Sequence, residues 1–319
     1  MTRHIPVMLE RCVELFAPAV AARSGAAAPG PVIVDATLGL GGHSEALLER
    51  FENLTVIGLD RDTSAIALAK QRLAPFGERF KAVHTVYDGI AKAVADCGFK
   101  QIDGVLFDLG VSSMQLDLAE RGFAYAKDAP LDMRMDQQAG TTAAELLNTL
   151  SETELKQLFQ RYGDEPLAAR YAAAIVAARG ADPLTRSQQL VDILQHATPA
   201  KIKAQRHPAK RVFQALRVAV NDEMAVLARA IPSAMQLLRV GGRIVVMSYQ
   251  SQEDRFVKKT LSAAAASQSP QGLPVELPEF APRFELLTRG AEQADETERN
   301  LNPRSIPVRL RAAQRVRPA

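Results

Sequence analysis

The feature that most constrains this chain is an apolar run that ends in an acid and enters a glycine-rich turn. Residues 32–43, Val-Ile-Val-Asp-Ala-Thr-Leu-Gly-Leu-Gly-Gly-His, join a strand-like run to a helix-like segment. The glycines let the backbone approach a ligand closely, and the helix behind them begins with unpaired N–H groups. A second apolar run, 54–59, leads to Asp60, at the position that holds a ribose diol in such folds. The pattern predicts a site for an adenosine-containing ligand at the carboxyl edge of a parallel sheet.

Two ligands of this kind fit the turn to different degrees. The dinucleotide fingerprint G-x-G-x-x-G is incomplete, because Ser44 stands where its third glycine belongs. Asp35, just before the turn, would repel a pyrophosphate but would attract the ammonium and sulfonium groups of S-adenosylmethionine. The residues therefore favour a methyltransferase over a nicotinamide oxidoreductase. A glycine turn that binds no ligand stays open as a third interpretation.

Composition places the chain among ordinary globular proteins. Of its 319 residues 47% are hydrophobic and 24% charged, which allows one large domain or two of usual size. No apolar run approaches the roughly 18 residues of a membrane helix, and the first residues make a poor signal peptide, so we expect a cytoplasmic protein without a membrane partner. Cys12 and Cys97 lack His or Cys neighbours at metal-ligand spacing, which predicts a reducing compartment and no metal site.

Strand-like and helix-like runs alternate over the first third of the chain, which predicts βαβ units and a parallel sheet. Helical periodicity dominates from about 114 to 205, after which the alternation resumes. The predicted strands are 31–36, 54–59, 80–84, 102–108, 238–248, 284–287 and 305–311, and the predicted helices of the resumed part are 212–238, bent or broken at Pro232, and 253–266.

These runs predict an α/β fold: a Rossmann-like core of the methyltransferase type, interrupted by an inserted all-helical domain. Its mostly parallel sheet has seven strands, and the last two supply an antiparallel edge. We expect the core to comprise residues 1–113 and 212–319 and the insertion to comprise 114–211.

The fourth predicted strand contributes a second half of the site. Ligands of open α/β sheets bind outside the carboxyl ends of the strands, so Asp108, Ser112 and Ser113 should face the same crevice as Gly41 and Asp60. Farther on, residues 129–136 alternate charge and methionine. This segment is interpreted either as a mobile flap at the site or as an ordinary solvated linker.

Several motifs in this part resemble one family. The runs 108–113 (Asp-Leu-Gly-Val-Ser-Ser), 120–123 (Glu-Arg-Gly-Phe) and 130–136 (Pro-Leu-Asp-Met-Arg-Met-Asp) look like signatures of the ribosomal RNA small subunit methyltransferase H family. Gln250 departs from the family, which usually has histidine there, and this puts an essential proton-transfer role at that position in doubt. Further matches span nearly the whole chain, at 4–7, 39–44, 60–62, 207–217 and 302–305.

The resemblance implies an S-adenosylmethionine-dependent enzyme that methylates the exocyclic N4 of a cytidine in the decoding region of 16S rRNA. By motif, the residues implied in binding S-adenosyl-L-methionine are Gly41, Gly42, His43, Asp60, Tyr87, Asp108 and Gln115. For catalysis we expect Asp108, Ser112 and Asp132, with a carboxylate or carbonyl accepting the N–H bonds of the amino group. The general base is not assigned by the sequence.

The expected partner is 16S rRNA within the small ribosomal subunit, and the oligomeric state stays open. Residues 201–211, continuing to Arg217, contain several cations and no acid, and a second basic group lies near the end of the chain, at Arg304, Arg309, Arg311, Arg315 and Arg317. The first segment is interpreted as a phosphate-contacting patch or as a solvated domain boundary. An rRNA-binding assembly factor without turnover, and methylation of a protein or small molecule, are the remaining alternatives.

Overall fold

The computed structural model describes residues 6–23, 30–112, 114–115, 118–267, 269 and 280–318. The chain divides into two compact units, a core of Met1–Gly110 with Ala225–Ala319 and a helical unit of Val111–Met224. The predicted insertion, 114–211, differs from the helical unit most at its C-terminal end. The reason is that a helix at Ala209–Val220 packs with the other helices of that unit.

The core unit is built from strands that alternate with helices. Its strands are β1 (Val32–Asp35), β2 (Thr55–Asp60), β3 (Phe80–His84), β4 (Ile102–Asp108), β5 (Leu238–Ser248), β6 (Phe284–Leu286) and β7 (Arg309–Arg315). Its helices are α1 (Leu9–Ala21), α2 (Gly42–Arg50), α3 (Thr63–Leu73), α4 (Ile90–Asp96), α11 (Glu223–Leu237), α12 (Ser251–Ala264) and α13 (Glu296–Leu301). Short 3-10 turns lie at Ala74–Arg79, Tyr87–Gly89 and Pro303–Ser305.

The sheet has seven strands in the order β3-β2-β1-β4-β5-β7-β6. The strands from β3 to β5 run parallel, and β7 is antiparallel to both β5 and β6. β1 is buried along its whole length, as its unbroken apolar run requires in a parallel sheet covered on both faces. The predicted fold class, a mostly parallel seven-stranded methyltransferase-type sheet with helices around it, is confirmed.

Two predicted elements of the second half were wrong in detail. The helix predicted at 212–238 is two helices, and its break lies at Asn221 and Asp222, where Asp222 takes a left-handed conformation with φ of 50°. Pro232 lies inside the second helix. The last strand begins at Arg309 and not at 305, because pairing with β5 sets its register and residues 303–305 form the 3-10 turn.

The helical unit consists of α5 (Ala143–Thr149), α6 (Glu152–Gly163), α7 (Ala168–Arg179), α8 (Ser187–Ala197), α9 (Ala200–Lys203) and α10 (Ala209–Val220). Thr142 with Glu145 and Ser151 with Glu154 form capping boxes that fix the starts of α5 and α6. The apolar faces of these helices enclose one core around the fully buried ring of Tyr171. None of the helices in the described residues is long and apolar enough to cross a membrane.

The segment 129–136 is an ordered part of the helical unit. Leu131, Met133 and Met135 are buried. The Asn221 side chain donates to the Met133 carbonyl and accepts from the Met135 amide, each at 2.8 Å, and Arg121 donates to the Met135 carbonyl at 2.8 Å. The solvated-linker interpretation is therefore wrong. The same buried hydrogen bonds are not those of a freely mobile flap, because they tie the segment to Asn221 and Arg121.

Candidate active site

Three neighbouring strands of the core unit end in aspartate. β1 ends at Asp35, β2 at Asp60 and β4 at Asp108, and β1 lies between the other two. Because the strands are parallel, these ends lie at one edge of the sheet. The edge therefore concentrates negative charge, which favours a cationic ligand and disfavours a pyrophosphate.

The turn after β1 is held by the strands on either side. The Ala36 amide donates to the Leu106 carbonyl and the Leu38 amide to the Leu59 carbonyl, both at 2.9 Å. Gly41, with φ of 77°, precedes α2, and a Cβ there would lie 3.0 Å from Leu73 Cδ1. A Cβ on Gly42 would lie 2.5 Å from Pro6 Cγ. The left-handed backbone of Gly41 and the close approach of Pro6 to Gly42 thus favour glycine at both positions, independently of any ligand.

Asp35 stabilises the turn by accepting hydrogen bonds from two of the residues that follow it. Its carboxylate, in a residue only 1% exposed, accepts the Ser44 hydroxyl at 2.7 Å and the Thr37 amide at 3.3 Å. Burial raises the pKa of Asp35. Ser44, which replaces the third fingerprint glycine, is therefore the residue that ties α2 to β1.

Asp60 is held by backbone donors on both carboxylate oxygens. It accepts the Gly39 amide and the Asp62 amide, each at 2.8 Å. Asp62 in turn caps α3 by accepting the Ser64 amide at 3.0 Å. Burial raises the pKa of Asp60 to about 6, against the lowering effect of these two hydrogen bonds. The bonds fix the orientation of the carboxylate at the end of β2.

Asp108 meets side chains from two other elements of the core unit. The Tyr249 hydroxyl donates to Asp108 Oδ1 at 2.6 Å, and His43 Nδ1 lies 3.9 Å from Oδ2. The His43 Nε2 atom lies 3.0 Å from the Val7 carbonyl. That oxygen can only accept, so Nε2 carries a hydrogen. The Asp108 side chain keeps 26% of its surface exposed, so its carboxylate is both oriented and accessible.

The sequence interpretation did not anticipate Tyr249. Burial raises the pKa of Tyr249 well above its usual value, and the charge of Asp108 adds to this, so the phenol keeps its proton. The backbone at Tyr249 is held by Glu253 of α12, whose carboxylate accepts hydrogen bonds from the amides of Tyr249 and Gln250 at 3.0 and 3.1 Å. The available signal was its place directly after β5, the parallel neighbour of β4. Gln250 directly precedes α12 as its N-cap residue, a structural role that needs no proton transfer.

Tyr87 lies in the 3-10 turn after β3 and packs against a buried ring of β4. Its ring centroid is 5.7 Å from that of Phe107, with the two planes perpendicular. The core unit thus contains six of the residues predicted to bind the ligand. They lie at the ends of strands β1 to β4 or in the segments that follow them: Gly41, Gly42, His43, Asp60, Tyr87 and Asp108.

The remaining predicted site residues belong to the helical unit. Gln115 Oε1 accepts the Ser112 amide at 3.1 Å, and the Ser112 hydroxyl accepts the Gln115 amide at 3.3 Å. Ser113 lies outside the described residues. Asp132 faces Arg134, whose Nε and Nη2 atoms lie 2.9 and 2.8 Å from its two oxygens. Although burial acts to raise it, the guanidinium lowers the pKa of Asp132. This pairing makes Asp132 a weak proton acceptor.

Comparison with known proteins places this arrangement in a family. The family model described as the MraW methylase family matches residues 1–316. The chain belongs to this family. A protein of Leifsonia xyli named "Ribosomal RNA small subunit methyltransferase H" is 59% identical over 98% of this chain and 95% of its own length. Proteins of the same name from Clavibacter michiganensis and Mycobacteroides abscessus are 57% and 58% identical over 98% of this chain, covering 97% and 82% of their own lengths.

Membership of the MraW methylase family confirms the resemblance drawn from the motifs. Among solved structures, an rRNA methylase from Streptococcus thermophilus aligns over 99% of both chains, at 12% identity and a TM-score of 0.44. This distant likeness supports no further assignment.

The half-buried carboxyl of Asp60 predicts a measurable titration. Its pKa of about 6 lies above the usual value of about 3.9. We expect carboxyl-carbon NMR to show the Asp60 carboxyl titrating near pH 6, and its resonance should be missing from Asp60→Asn. Because unfolding releases this proton between the two pKa values, the folded state loses stability as pH rises from about 4 to about 6. The Asn variant should lack that slope. A midpoint for Asp60 near about 4 would contradict its desolvated environment.

Proposed function

We propose that this chain uses S-adenosylmethionine to methylate the exocyclic N4 of a cytidine in the decoding region of 16S rRNA. The row of aspartates at the ends of β1, β2 and β4 is the observation that carries the choice of donor. Membership of the MraW methylase family and the printed names of the relatives support rRNA of the small subunit as the substrate. The choice of cytidine N4 rests on the motif resemblance.

The residues of the core unit fit this donor. S-adenosylmethionine carries an ammonium and a sulfonium, which the acidic edge attracts, and a ribose diol, which a carboxylate oriented like that of Asp60 accepts. We assign its binding to Gly41, Gly42, His43, Asp60, Tyr87, Asp108 and Gln115. When bound, it supplies an activated methyl group.

The chain's own contribution to the reaction is position and charge. A cytosine amino group is a weak nucleophile because its lone pair is delocalised into the ring. We assign Asp108 the role of accepting an N–H bond of this group, which concentrates charge on the nitrogen and holds the proton at a carboxylate oxygen. Tyr249 remains a donor to Oδ1 and fixes the direction of Oδ2. Aligning the reactants contributes about 7–11 kcal/mol.

Ser112 and Asp132 complete the proposed catalytic set, with a smaller part for Asp132. Its carboxylate is already paired with Arg134 through both oxygens. We assign it to positioning within the helical unit, whose proposed role is substrate recognition. The Ser112 amide donates a hydrogen bond to the Gln115 side chain, and we assign Ser112 to the part of the site that Gln115 contributes.

A nicotinamide oxidoreductase is the weaker enzyme class. Its pyrophosphate would meet the acidic edge, and its third glycine is replaced by Ser44, whose hydroxyl is committed to Asp35. An assembly factor without turnover would need the same donor pocket. Turnover alone separates it from the proposed enzyme.

The proposed function is tested by methyl transfer. The purified protein is incubated with radiolabelled S-adenosylmethionine and small ribosomal subunits that lack the modification, and the rRNA is digested to nucleosides. We expect label in N4-methylcytidine. Donor binding without transfer to subunits, naked rRNA or protein would favour the assembly factor. Label in a different nucleoside would overturn the assignment of the target atom.

The Tyr249 hydrogen bond predicts a selective kinetic defect. Tyr249→Phe removes the donor to Asp108 and keeps the ring, and a hydrogen bond to a charged group contributes about 1.5–3 kcal/mol. We expect kcat to fall by about 10–150-fold with an unchanged KM for rRNA. Tyr162→Phe, the same change on α6 of the helical unit, should leave both constants unchanged. A rise in KM for rRNA at constant kcat would show that Tyr249 serves substrate binding and not the orientation of Asp108.

A further inference from the structure

Three lysines and one histidine share a short stretch of the helical unit that the site described above does not use. Lys201 and Lys203 lie on α9, Lys210 is the second residue of α10, and His207 lies between the two helices. We call the three lysines the lysine face, because each of them is exposed on this stretch. The stretch is compact, since the Arg206 amide donates to the Ile202 carbonyl at 3.1 Å and the Lys210 amide to the His207 carbonyl at 3.3 Å.

We propose that the lysine face binds the phosphate backbone of the substrate RNA and that His207 stacks on one unpaired base. The proposal rests on the proposed function and adds the surface by which the RNA is held. The lysines are exposed, and among the described residues no carboxylate lies within ion-pair distance of them. Exposed cations without acidic partners are the residues that neutralise phosphates.

The arginines of the same stretch are occupied inside the unit. Arg206 binds the buried Glu165 through both guanidinium termini, at 2.7 and 2.6 Å. Arg217 donates to the two carboxylate oxygens of Glu223 from Nε and Nη2, at 2.8 and 2.9 Å, and Arg211 donates to the carbonyl of Asp164. These bonds anchor the stretch to its surroundings. The lysines are therefore presented on a fixed scaffold and remain available to a ligand.

The second basic group that the sequence suggested is different. Arg311 binds Asp254 at 2.7 Å, and the buried Arg315 donates to the carbonyls of Met235 and Leu238. Two of its five members, Arg311 and Arg315, are thus bound to groups of the core unit. The lysines of the lysine face, in contrast, have no ion-pair partner among the described residues.

The ring of His207 is exposed and held in one orientation. It stacks on Tyr125 with ring centroids 4.5 Å apart and planes 23° apart, and its Nδ1 accepts the Ala209 amide at 3.2 Å. Tyr125 packs in turn against Phe213. Unpaired RNA bases stack on rings presented in this way. One such ring beside three cations suits a folded RNA with a single exposed base, whereas an anionic membrane would need only the charges.

The charge is tested with a triple variant, Lys201→Ala, Lys203→Ala and Lys210→Ala. Its matched control is Lys70→Ala, Lys258→Ala and Lys259→Ala, which removes three exposed lysines of the core unit. Binding of the full-length proteins to 16S rRNA and to small subunits is measured over a range of salt concentrations. We expect the slope of log affinity against log salt to become shallower by about 2–3 in the triple variant and to stay unchanged in the control.

The stacking ring is tested with His207→Ala, which should weaken RNA binding without changing the salt slope, because no phosphate contact is removed. Calorimetry with S-adenosylmethionine should give the wild-type affinity for all these variants. If the wild-type protein fails to bind or methylate rRNA, the proposed function itself fails. If it succeeds and the triple variant keeps the wild-type slope, the lysine face is overturned alone. If the triple variant binds RNA like the wild-type protein but loses the binding of the wild-type protein to anionic phospholipid vesicles, the lysine face is overturned in favour of a membrane-binding surface.

Discussion

The site depends on one buried hydrogen bond, from the Ser44 hydroxyl to the Asp35 carboxylate. It joins the first turn of α2 to the end of β1 and so fixes the turn between them. The turn then offers the Gly39 amide to Asp60 on the neighbouring strand. A buried carboxyl without this donor would be costly, since an unsatisfied buried polar group loses about 1–3 kcal/mol. The same bond thus stabilises the turn and orients the ribose-binding acid that we propose.

The acidic edge shows how one fold gives its carboxylates different environments. Asp35 is buried and committed to the turn, Asp60 is held by two amides at the end of β2, and Asp108 is oriented by Tyr249 with part of its surface accessible. Asp60 and Asp108 are both half-buried, but both oxygens of Asp60 accept backbone amides, whereas Oδ1 of Asp108 accepts the Tyr249 hydroxyl and its Oδ2 faces His43 at 3.9 Å. This difference is the physical reason for assigning proton acceptance to Asp108 and ribose binding to Asp60.

Much of this site could be predicted from the sequence, because continuous apolar runs that end in acids identify buried parallel strands and their carboxyl ends. What could not be predicted depends on contacts between distant segments. Tyr249 reaches Asp108 only through the pairing of β4 with β5. The helix break at Asp222 reflects the bonds that Asn221 makes to residues 133 and 135. Likewise, Gly42 is required by Pro6, a neighbour that no local pattern reveals.

The most direct test of the acidic edge is a comparison of ligands by isothermal titration calorimetry. The purified chain is titrated with S-adenosylmethionine and, separately, with NAD. The account predicts saturable binding of S-adenosylmethionine at one site per chain, lost in Asp60→Ala, and no binding of NAD. Binding of NAD in preference to S-adenosylmethionine would contradict the account, because a pyrophosphate would then be accepted beside three aspartates.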